Sequence, residues 1–169
     1  MPPLPRPTGE AGERMSRPSW DEYYAGIARA VATRSNCIRR RVGALIVVDN
    51  AIIATGYNGT PVGVRNCSEG GCPRCRSDAP PGQGYDACIC VHAEQNAIVF
   101  AARRGNATAG GTLYTTLRPC FGCAKEAIQA GLREIVFEEP FAYDEGLEDV
   151  YRRLIAESGL ALRTLHPPA

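Results

Sequence analysis

The sequence lacks a long apolar run and lacks a net charge, and each absence excludes a class of protein. No apolar stretch approaches the roughly 20 residues that span a bilayer, so we do not expect a membrane protein. Lysine and arginine number 19 against 18 for aspartate and glutamate, which gives a formal net charge of +1. Proteins that hold a long phosphate backbone usually carry a basic surplus, so the balance favours a small ligand over nucleic acid, although a balanced total can hide a local basic patch.

The start of the chain also lacks the apolar segment of a secretion signal. Its richness in proline, glycine and arginine predicts a disordered arm over residues 1–18, followed by one domain over 19–165 and a frayed tail over 166–169. A chain without a secretion signal is expected in the cytoplasm, where disulfides are disfavoured. Eight cysteines in such a protein indicate metal binding or catalysis.

Apolar periodicity predicts strands that alternate with helices. A helix is expected from the N-cap Ser19, and two β-branched runs that flank Asp49-Asn50 predict a hairpin. After residue 90, helical patterns at 93–105, 120–130 and 147–156 alternate with short strands at 112–115, 134–137 and 160–165. The alternation predicts an α/β sandwich, and the hairpin makes its sheet mixed. Between them, a segment of about 59–90 is rich in glycine, proline and cysteine, and predicts an insertion with a function or an internal tie.

Two short motifs carry the chemistry, and each falls at a predicted helix start. They are His92-Ala93-Glu94 and Pro119-Cys120-Phe121-Gly122-Cys123. One histidine and two cysteines leave a fourth zinc position open, as in catalytic zinc sites. Glu94 is placed to act as a general acid and base rather than as a ligand. The combination of H-x-E with P-C-x-x-C is the signature of zinc deaminases, whereas a lone C-x-x-C also occurs in redox pairs and structural zinc corners.

Five segments between Trp20 and Tyr143 together resemble the deoxycytidylate deaminase family, part of the cytidine deaminase superfamily. They are Arg34-Ser35-Asn36-Cys37, Arg41-Val42-Gly43-Ala44, Thr55-Gly56-Tyr57-Asn58-Gly59-Thr60-Pro61, His92-Ala93-Glu94-Gln95-Asn96-Ala97 and Pro119-Cys120-Phe121-Gly122-Cys123-Ala124-Lys125. The resemblance implies a three-layer α/β/α sandwich with a five-stranded mixed sheet, one catalytic zinc per subunit and a homo-oligomer, a hexamer or smaller. It also implies deamination of the small nucleotide dCMP to dUMP, with dCTP and Mg²⁺ as activators and dTTP as inhibitor.

The resemblance also assigns roles to individual residues. Asn58 and Ala93 are expected to contact the nucleoside, although Asn58 is equally typical of a turn. Tyr57 and Gly59 fall in a motif that resembles the family's effector site. Arg103 resembles an arginine that meets phosphate near a subunit interface, and a solvated arginine at a helix end is the alternative.

Two further residues are candidates for substrate contact. Arg118 stands where relatives often have a small polar residue. We expect its side chain either to contact the base or phosphate, which would shift the substrate specificity toward CMP or a modified cytidylate, or to point outward as a solvated charge. Tyr143 follows a predicted strand, near the place where ligands bind α/β sheets, and is expected either to stack on the substrate or to pack in the core.

Six further cysteines lie outside the two motifs, at short spacings that are typical of a structural zinc site. Some microbial and phage relatives carry a second zinc in this insertion. That resemblance favours Cys37, Cys67, Cys72 and Cys88 as ligands, with Cys75 and Cys90 as alternates. Free or redox-active thiols are the alternative.

Two other functions compete with a nucleotide deaminase. A tRNA or purine base deaminase shares the zinc motif, but the balanced charge and the match at Gly56-Tyr57-Asn58-Gly59 disfavour it. A zinc-knuckle binding module around Cys72-Pro73-Arg74-Cys75 leaves Glu94 and the open zinc position without a role.

Overall fold

The computed structural model describes residues 17–80 and 83–165, so the interpretations of 1–16 as an arm and of 166–169 as a tail lie outside the described residues. None of the helices in the described part is both long enough and apolar enough to cross a membrane. The elements follow in chain order as α1 (Trp20–Ala32), β1 (Gly43–Val48), β2 (Ala51–Tyr57), α2 (Pro73–Arg76), α3 (Ala93–Arg103), β3 (Thr112–Leu117), α4 (Phe121–Gln129), β4 (Glu134–Glu139), α5 (Glu145–Ser158) and β5 (Ala161–Thr164).

The five strands form one mixed sheet in the order β2-β1-β3-β4-β5. β1 is antiparallel to both β2 and β3, whereas β3, β4 and β5 run parallel. The predicted five-stranded mixed sheet is confirmed. Asp49 and Asn50 turn between β1 and β2 with φ values of 49° and 61°, the left-handed geometry that a two-residue hairpin loop requires.

The side chains of β1, β3 and β4 alternate between two cores. One core packs beneath α3, α4 and α5 and includes Ile46, Leu113 and Ile135. The other packs beneath α1 and includes Leu45 and Tyr114. Because successive strand residues face opposite sides of a sheet, this division gives the predicted three layers, with α1 alone on one face.

Local signals set the ends of the helices. Ser19 caps α1, since its hydroxyl accepts a hydrogen bond from the Glu22 N–H at 3.2 Å while a Glu22 carboxylate oxygen accepts from the Ser19 N–H at 2.7 Å. Asp144 caps α5 with one hydrogen bond, since its carboxylate accepts from the Leu147 N–H at 3.1 Å. The helix predicted to begin at Leu147 therefore begins at Glu145.

The segment between β2 and α3 corresponds to the predicted insertion. An antiparallel bridge between Gly59 and Val91 closes its base, with hydrogen bonds of 3.1 and 2.9 Å. Within the insertion, the helix α2 spans one turn, and 3-10 turns lie at Cys67–Glu69 and Tyr85–Ala87. The buried core of this region consists of cysteine side chains.

The topology brings several chain ends to one edge of the sheet. β2 and β4 both run parallel to β3, so the carboxyl ends of these three strands lie at the same edge. The residues that follow them are Asn58, Arg118 and Pro140. In open α/β sheets, ligands bind in the crevice outside such ends, and the candidate site lies there.

Candidate active site and metal centre

Two helix N-termini meet at the candidate site. His92 is the residue before α3, and Cys120 is the residue before α4, where its Sγ accepts from the Cys123 N–H at 3.5 Å. The position of α3 depends on Gly56 in β2, because a Cβ there would overlap the Ala93 carbonyl oxygen and the Ala97 amide nitrogen. The absent side chain lets α3 lie directly on the strand and bring its first turn to α4.

The ligand atoms of His92, Cys120 and Cys123 converge on one point. His92 Nδ1 lies 3.3 Å from Cys120 Sγ and 3.4 Å from Cys123 Sγ, and the two sulfur atoms are 3.5 Å apart. A tetrahedral zinc with its usual bond lengths separates such atoms by roughly 3.6–3.8 Å. The three residues therefore fit a zinc ion with one coordination position left open for a non-protein ligand.

Glu94 lies beside this centre and is buried. Its Oε2 is 3.7 Å from Cys123 Sγ, so its carboxylate adjoins the ligand atoms without being one of the three that converge. Burial raises the pKa of Glu94 to about 7, against the opposing effect of the His92 charge. A carboxyl group that titrates near neutrality can both accept and return a proton.

The three ligand side chains shift one another's pKa values. A hydrogen bond with Cys123 lowers the pKa of Cys120 to about 4, and the same contact together with burial raises the pKa of Cys123. Burial acts to lower the pKa of His92, but its hydrogen bond with Cys120 and the charge on that sulfur raise it to about 9. A bound zinc ion would have to displace the protons of His92 and Cys123, since a metal requires thiolates and a neutral imidazole.

A cavity of about 460 Å³ opens onto His92 and Glu94, within the size range of small-molecule sites. Arg39, Arg40 and Arg74 also line it. Sequence reasoning missed these three arginines, because the balanced total charge conceals a local basic patch. Two of them, Arg39 and Arg74, form no ion pair within the described ranges 17–80 and 83–165. Their guanidinium groups donate to the backbone carbonyls of residues 77, 79, 80 and 83.

Asn58 and Ala93 both line the cavity. The Asn58 side-chain oxygen accepts from Ser35 Oγ at 2.6 Å and from the Val42 N–H at 2.8 Å, while its nitrogen donates to the Arg40 carbonyl at 2.8 Å. One N–H of the Asn58 amide remains for a ligand in addition to these bonds. Ala93 is the first residue of α3, where backbone N–H groups lack partners within the helix.

Arg118 lines the cavity too, but its charge is already paired. Its guanidinium donates two hydrogen bonds to Glu148, a third to the Phe141 carbonyl at 2.6 Å, and lies 4.2 Å from the centre of the Tyr151 ring. Tyr143 lies at the first turn of α4, where its hydroxyl accepts from the Phe121 N–H at 2.7 Å. Contact of either side chain with substrate remains a prediction.

The predicted effector residues are not among those that line the cavity, although Tyr57 and Gly59 flank Asn58, which does. The Tyr57 carbonyl accepts from Asn96 Nδ2 at 2.8 Å near the start of α3, and Gly59 pairs with Val91. Arg103 is exposed at the other end of α3, with its guanidinium 5.8 Å from the Phe100 ring centre. Their role in binding an effector remains a prediction.

The six remaining cysteines form a six-cysteine cluster, and the structure groups them differently from the predicted set of four. Cys37 and Cys67 fall in one group of converging sulfur atoms, and Cys72 and Cys88 fall in another. The predicted alternates, Cys75 and Cys90, belong to both groups. Spacing along the chain could not show this, because the sulfur atoms come from four separate segments.

Comparison with known proteins agrees with this geometry. Residues 18–139 match the family model for the cytidine and deoxycytidylate deaminase zinc-binding region. Among curated proteins, deoxycytidylate deaminase of Schizosaccharomyces pombe is 44% identical over 154 residues, which cover 90% of this chain and 46% of that protein. Deoxycytidylate deaminase of Mycobacterium phage D29 is 44% identical over 128 residues, which cover 73% of this chain and 97% of that protein.

A solved structure has the same fold. The dCMP deaminase of cyanophage S-TIM5, in complex with dCMP and dUMP, superimposes with a TM-score of 0.70 at 29% identity and covers 89% of this chain and 99% of that one. The chain thus has the fold of that dCMP deaminase, and its His92, Cys120 and Cys123 converge on one point. It spans only about half the length of the S. pombe relative. The family match spans most of the described domain, and the chain belongs to the family of the cytidine and deoxycytidylate deaminase zinc-binding region.

Proposed function

We propose that this protein catalyses the zinc-dependent hydrolytic deamination of dCMP to dUMP and ammonia. The observation that carries the proposal is the buried Glu94 carboxylate beside the three converging ligands, in a cavity whose wall also bears arginines. Relatives named deoxycytidylate deaminase, and a neighbour solved with dCMP and dUMP, support the same substrate.

The residues of the site divide the reaction between them. When bound by His92, Cys120 and Cys123, zinc supplies a water whose pKa is lowered toward neutrality. During addition of water to C4 of the cytosine ring, Glu94 would accept one proton and return it to the adjacent ring nitrogen. It would then carry a second proton from the added hydroxyl group to the amino group. The amino group then leaves as ammonia, and the C4 carbonyl of uracil forms.

Recognition of a nucleotide, rather than a nucleoside, rests on Arg39, Arg40 and Arg74. A guanidinium group matches the geometry of phosphate and forms charge-assisted hydrogen bonds with it. Arg40 shares its charge with Glu139 at 3.4 Å, so Arg39 and Arg74 are the stronger candidates. The remaining N–H of the Asn58 amide can then donate a hydrogen bond to the sugar. The backbone N–H groups in the first turn of α3 can donate to the base.

Regulation and assembly extend the proposal. We infer a homo-oligomer, a hexamer or smaller, with dCTP and Mg²⁺ as activators and dTTP as inhibitor, bound through Tyr57, Gly59 and Arg103. The separation of Tyr57 from Arg103 along α3 is consistent with a site completed by a second subunit. We also infer structural zinc in the six-cysteine cluster. We infer a cytoplasmic location, where thiols stay reduced and available to a metal.

A competition assay tests the choice of substrate. The purified full chain is incubated with equal concentrations of dCMP, CMP and deoxycytidine, and the three uracil products are separated by chromatography. The proposal predicts that dUMP forms fastest. Faster turnover of deoxycytidine would overturn recognition of the phosphate, and faster turnover of CMP would replace dCMP with a ribonucleotide.

A further inference from the structure

The six-cysteine cluster contains two overlapping sets of metal ligands. The first set is Cys37, Cys67, Cys75 and Cys90, and the second is Cys72, Cys75, Cys88 and Cys90. Within each set, all four sulfur atoms lie within 4.8 Å of one another. Each set has two members of its own, and the two sets have Cys75 and Cys90 in common.

The distances between sulfur atoms match tetrahedral coordination. Four thiolates around one zinc, with bonds of about 2.3 Å, lie roughly 3.8 Å from each other. The Sγ atoms of Cys37 and Cys75 are 3.8 Å apart, and those of Cys72 and Cys88 are 3.8 Å apart. The two shared sulfur atoms, of Cys75 and Cys90, are 3.9 Å apart. These separations exceed a disulfide bond length of about 2.05 Å by far.

The sharing determines how many ions the cluster can hold. One ion in either set would leave two buried or half-buried cysteines of the other set without a metal. Two ions that each had four ligands and shared none would need more sulfur atoms than the six of the cluster. Two ions that share Cys75 and Cys90 as bridging thiolates give each a complete tetrahedral set and use every cysteine. We propose that the six-cysteine cluster binds two zinc-class divalent ions, bridged by the sulfur atoms of Cys75 and Cys90.

The surrounding structure supports a structural role for these ions. The cysteines come from the segment after α1, from the turn at Cys67–Glu69, from α2 with its N-cap, and from the segment before α3. The buried core of this region is made of these cysteine side chains, with no aliphatic cluster of its own among the described residues. The metal ions therefore supply the cross-links that apolar packing supplies elsewhere in the fold.

The cluster also adjoins the proposed active site. Cys37, Cys75, Cys88 and Cys90 line the same cavity as His92 and Glu94. Arg74 lies between Cys72 and Cys75 in α2, and Arg39 follows Cys37 by two residues. The bridged ions would thus fix the backbone that carries the two arginines. A role of that backbone in phosphate binding rests on the proposed function, whereas the number of bound ions is independent of it.

Metal content tests the proposal without an activity measurement. Zinc is counted by native mass spectrometry and elemental analysis on the full chain purified with zinc, and three ions per chain are expected, one from the catalytic centre and two from the cluster. Two ions per chain would overturn the proposal. Iron with visible charge-transfer absorption in place of zinc would overturn it too.

Substitutions distinguish ligands that bind one ion from ligands that bridge two. Under competition with a chelator that leaves the parent protein fully loaded, Cys67→Ser and Cys88→Ser should each release one ion, Cys90→Ser should release two, and Cys123→Ser should release the catalytic ion alone. Unchanged binding in Cys67→Ser or in Cys88→Ser would indicate a single four-cysteine site and overturn the proposal.

A spectroscopic measurement on the unsubstituted protein avoids variants that fail to fold. With cadmium-113 in place of zinc, the cluster should give two resonances split by coupling to each other, because spin coupling passes through a shared sulfur atom. One cluster resonance, or two without mutual coupling, would overturn the bridge.

Discussion

Arg118 and Glu148 form a buried ion pair joined by two hydrogen bonds, of 2.9 Å from Nη1 to Oε2 and 2.8 Å from Nη2 to Oε1. The pair connects α5 to the segment that leads from β3 to Cys120. Glu148 also accepts from the Tyr143 N–H at 3.3 Å and lies 3.5 Å from the guanidinium of Arg152. It therefore holds in place the stretch of chain that delivers one of the proposed zinc ligands.

Loss of the Glu148 charge should destabilise the fold. Glu148→Gln keeps the size of the side chain but leaves the Arg118 guanidinium buried beside a neutral partner, so we expect a loss of about 3 kcal/mol in the free energy of unfolding. Denaturant unfolding of the zinc-loaded protein measures this loss. The matched control is Glu157→Gln on the same helix, whose exposed pair with Arg153 at 3.8 Å should contribute less than about 0.5 kcal/mol. Equal effects of the two substitutions would contradict the structural role of the pair.

The contribution of Glu148 should depend on pH in a defined direction. The hydrogen bond from Arg118 lowers the pKa of Glu148 below its usual value of 4.5. A group with a depressed pKa in the folded state contributes fully above its unfolded pKa, and the contribution disappears as the pH falls through the folded pKa. The difference in unfolding free energy between the parent and Glu148→Gln should therefore stay constant above about pH 5.5 and shrink below about pH 4.5. A difference that grows on acidification would contradict this sign.

Removal of a cavity arginine should affect the nucleotide more than the nucleoside. Arg39→Gln and Arg74→Gln each delete a cation that we assign to the phosphate, so kcat/KM for dCMP should fall about tenfold to a hundredfold. The value for deoxycytidine, which has no phosphate, should stay within about twofold.

The control for these variants is Arg153→Gln, which removes an exposed arginine of α5 outside the cavity lining and should leave both values unchanged. A parallel fall for dCMP and deoxycytidine in the arginine variants would mean that the side chains act by holding the backbone carbonyls of residues 77, 79, 80 and 83 instead of binding phosphate.

A methyl group on Gly56 should displace α3. Gly56→Ala places a Cβ against the backbone of Ala93 and Ala97, so we expect a loss of about 3 kcal/mol in stability and a weakened hold on the catalytic zinc. Thermal unfolding and zinc titration measure the two effects. Gly146→Ala is the control, because Gly146 lies in α5 with open space where a Cβ would extend, and it should stabilise the protein by about 0.5–1 kcal/mol. Wild-type stability in Gly56→Ala would refute the close packing.

The sequence predicts the parts of the molecule that depend on neighbours in the chain. Caps such as Ser19, the turn at Asp49-Asn50 and the first residues of β3 and β4 follow from local chemistry, and the structure confirms them. The predicted ends of β3 and β4 were wrong, because each strand extends two residues further. His92, Cys120 and Cys123 could be recognised because each motif is short and begins a helix. The structure brings the three together.

The parts that the sequence does not predict depend on distant partners. Arg118 pairs with Glu148, which is 30 residues away, so its environment could not be read from the residues around it. The arginines of the cavity come from separate segments that only the fold brings together. The grouping of the six cysteines depends on three-dimensional positions, because many pairings fit the same spacings.

The central claim is that the protein deaminates dCMP with zinc and with Glu94 as the proton carrier. The most direct test measures dCMP turnover and bound zinc in the same samples of the parent protein and of Glu94→Gln. The parent should release one ammonia for each dUMP formed. Glu94→Gln should retain the catalytic zinc while its kcat falls by about a hundredfold to ten-thousandfold, because the proton carrier is gone. Undiminished turnover in Glu94→Gln, or a zinc-loaded parent that converts no dCMP, would contradict the account.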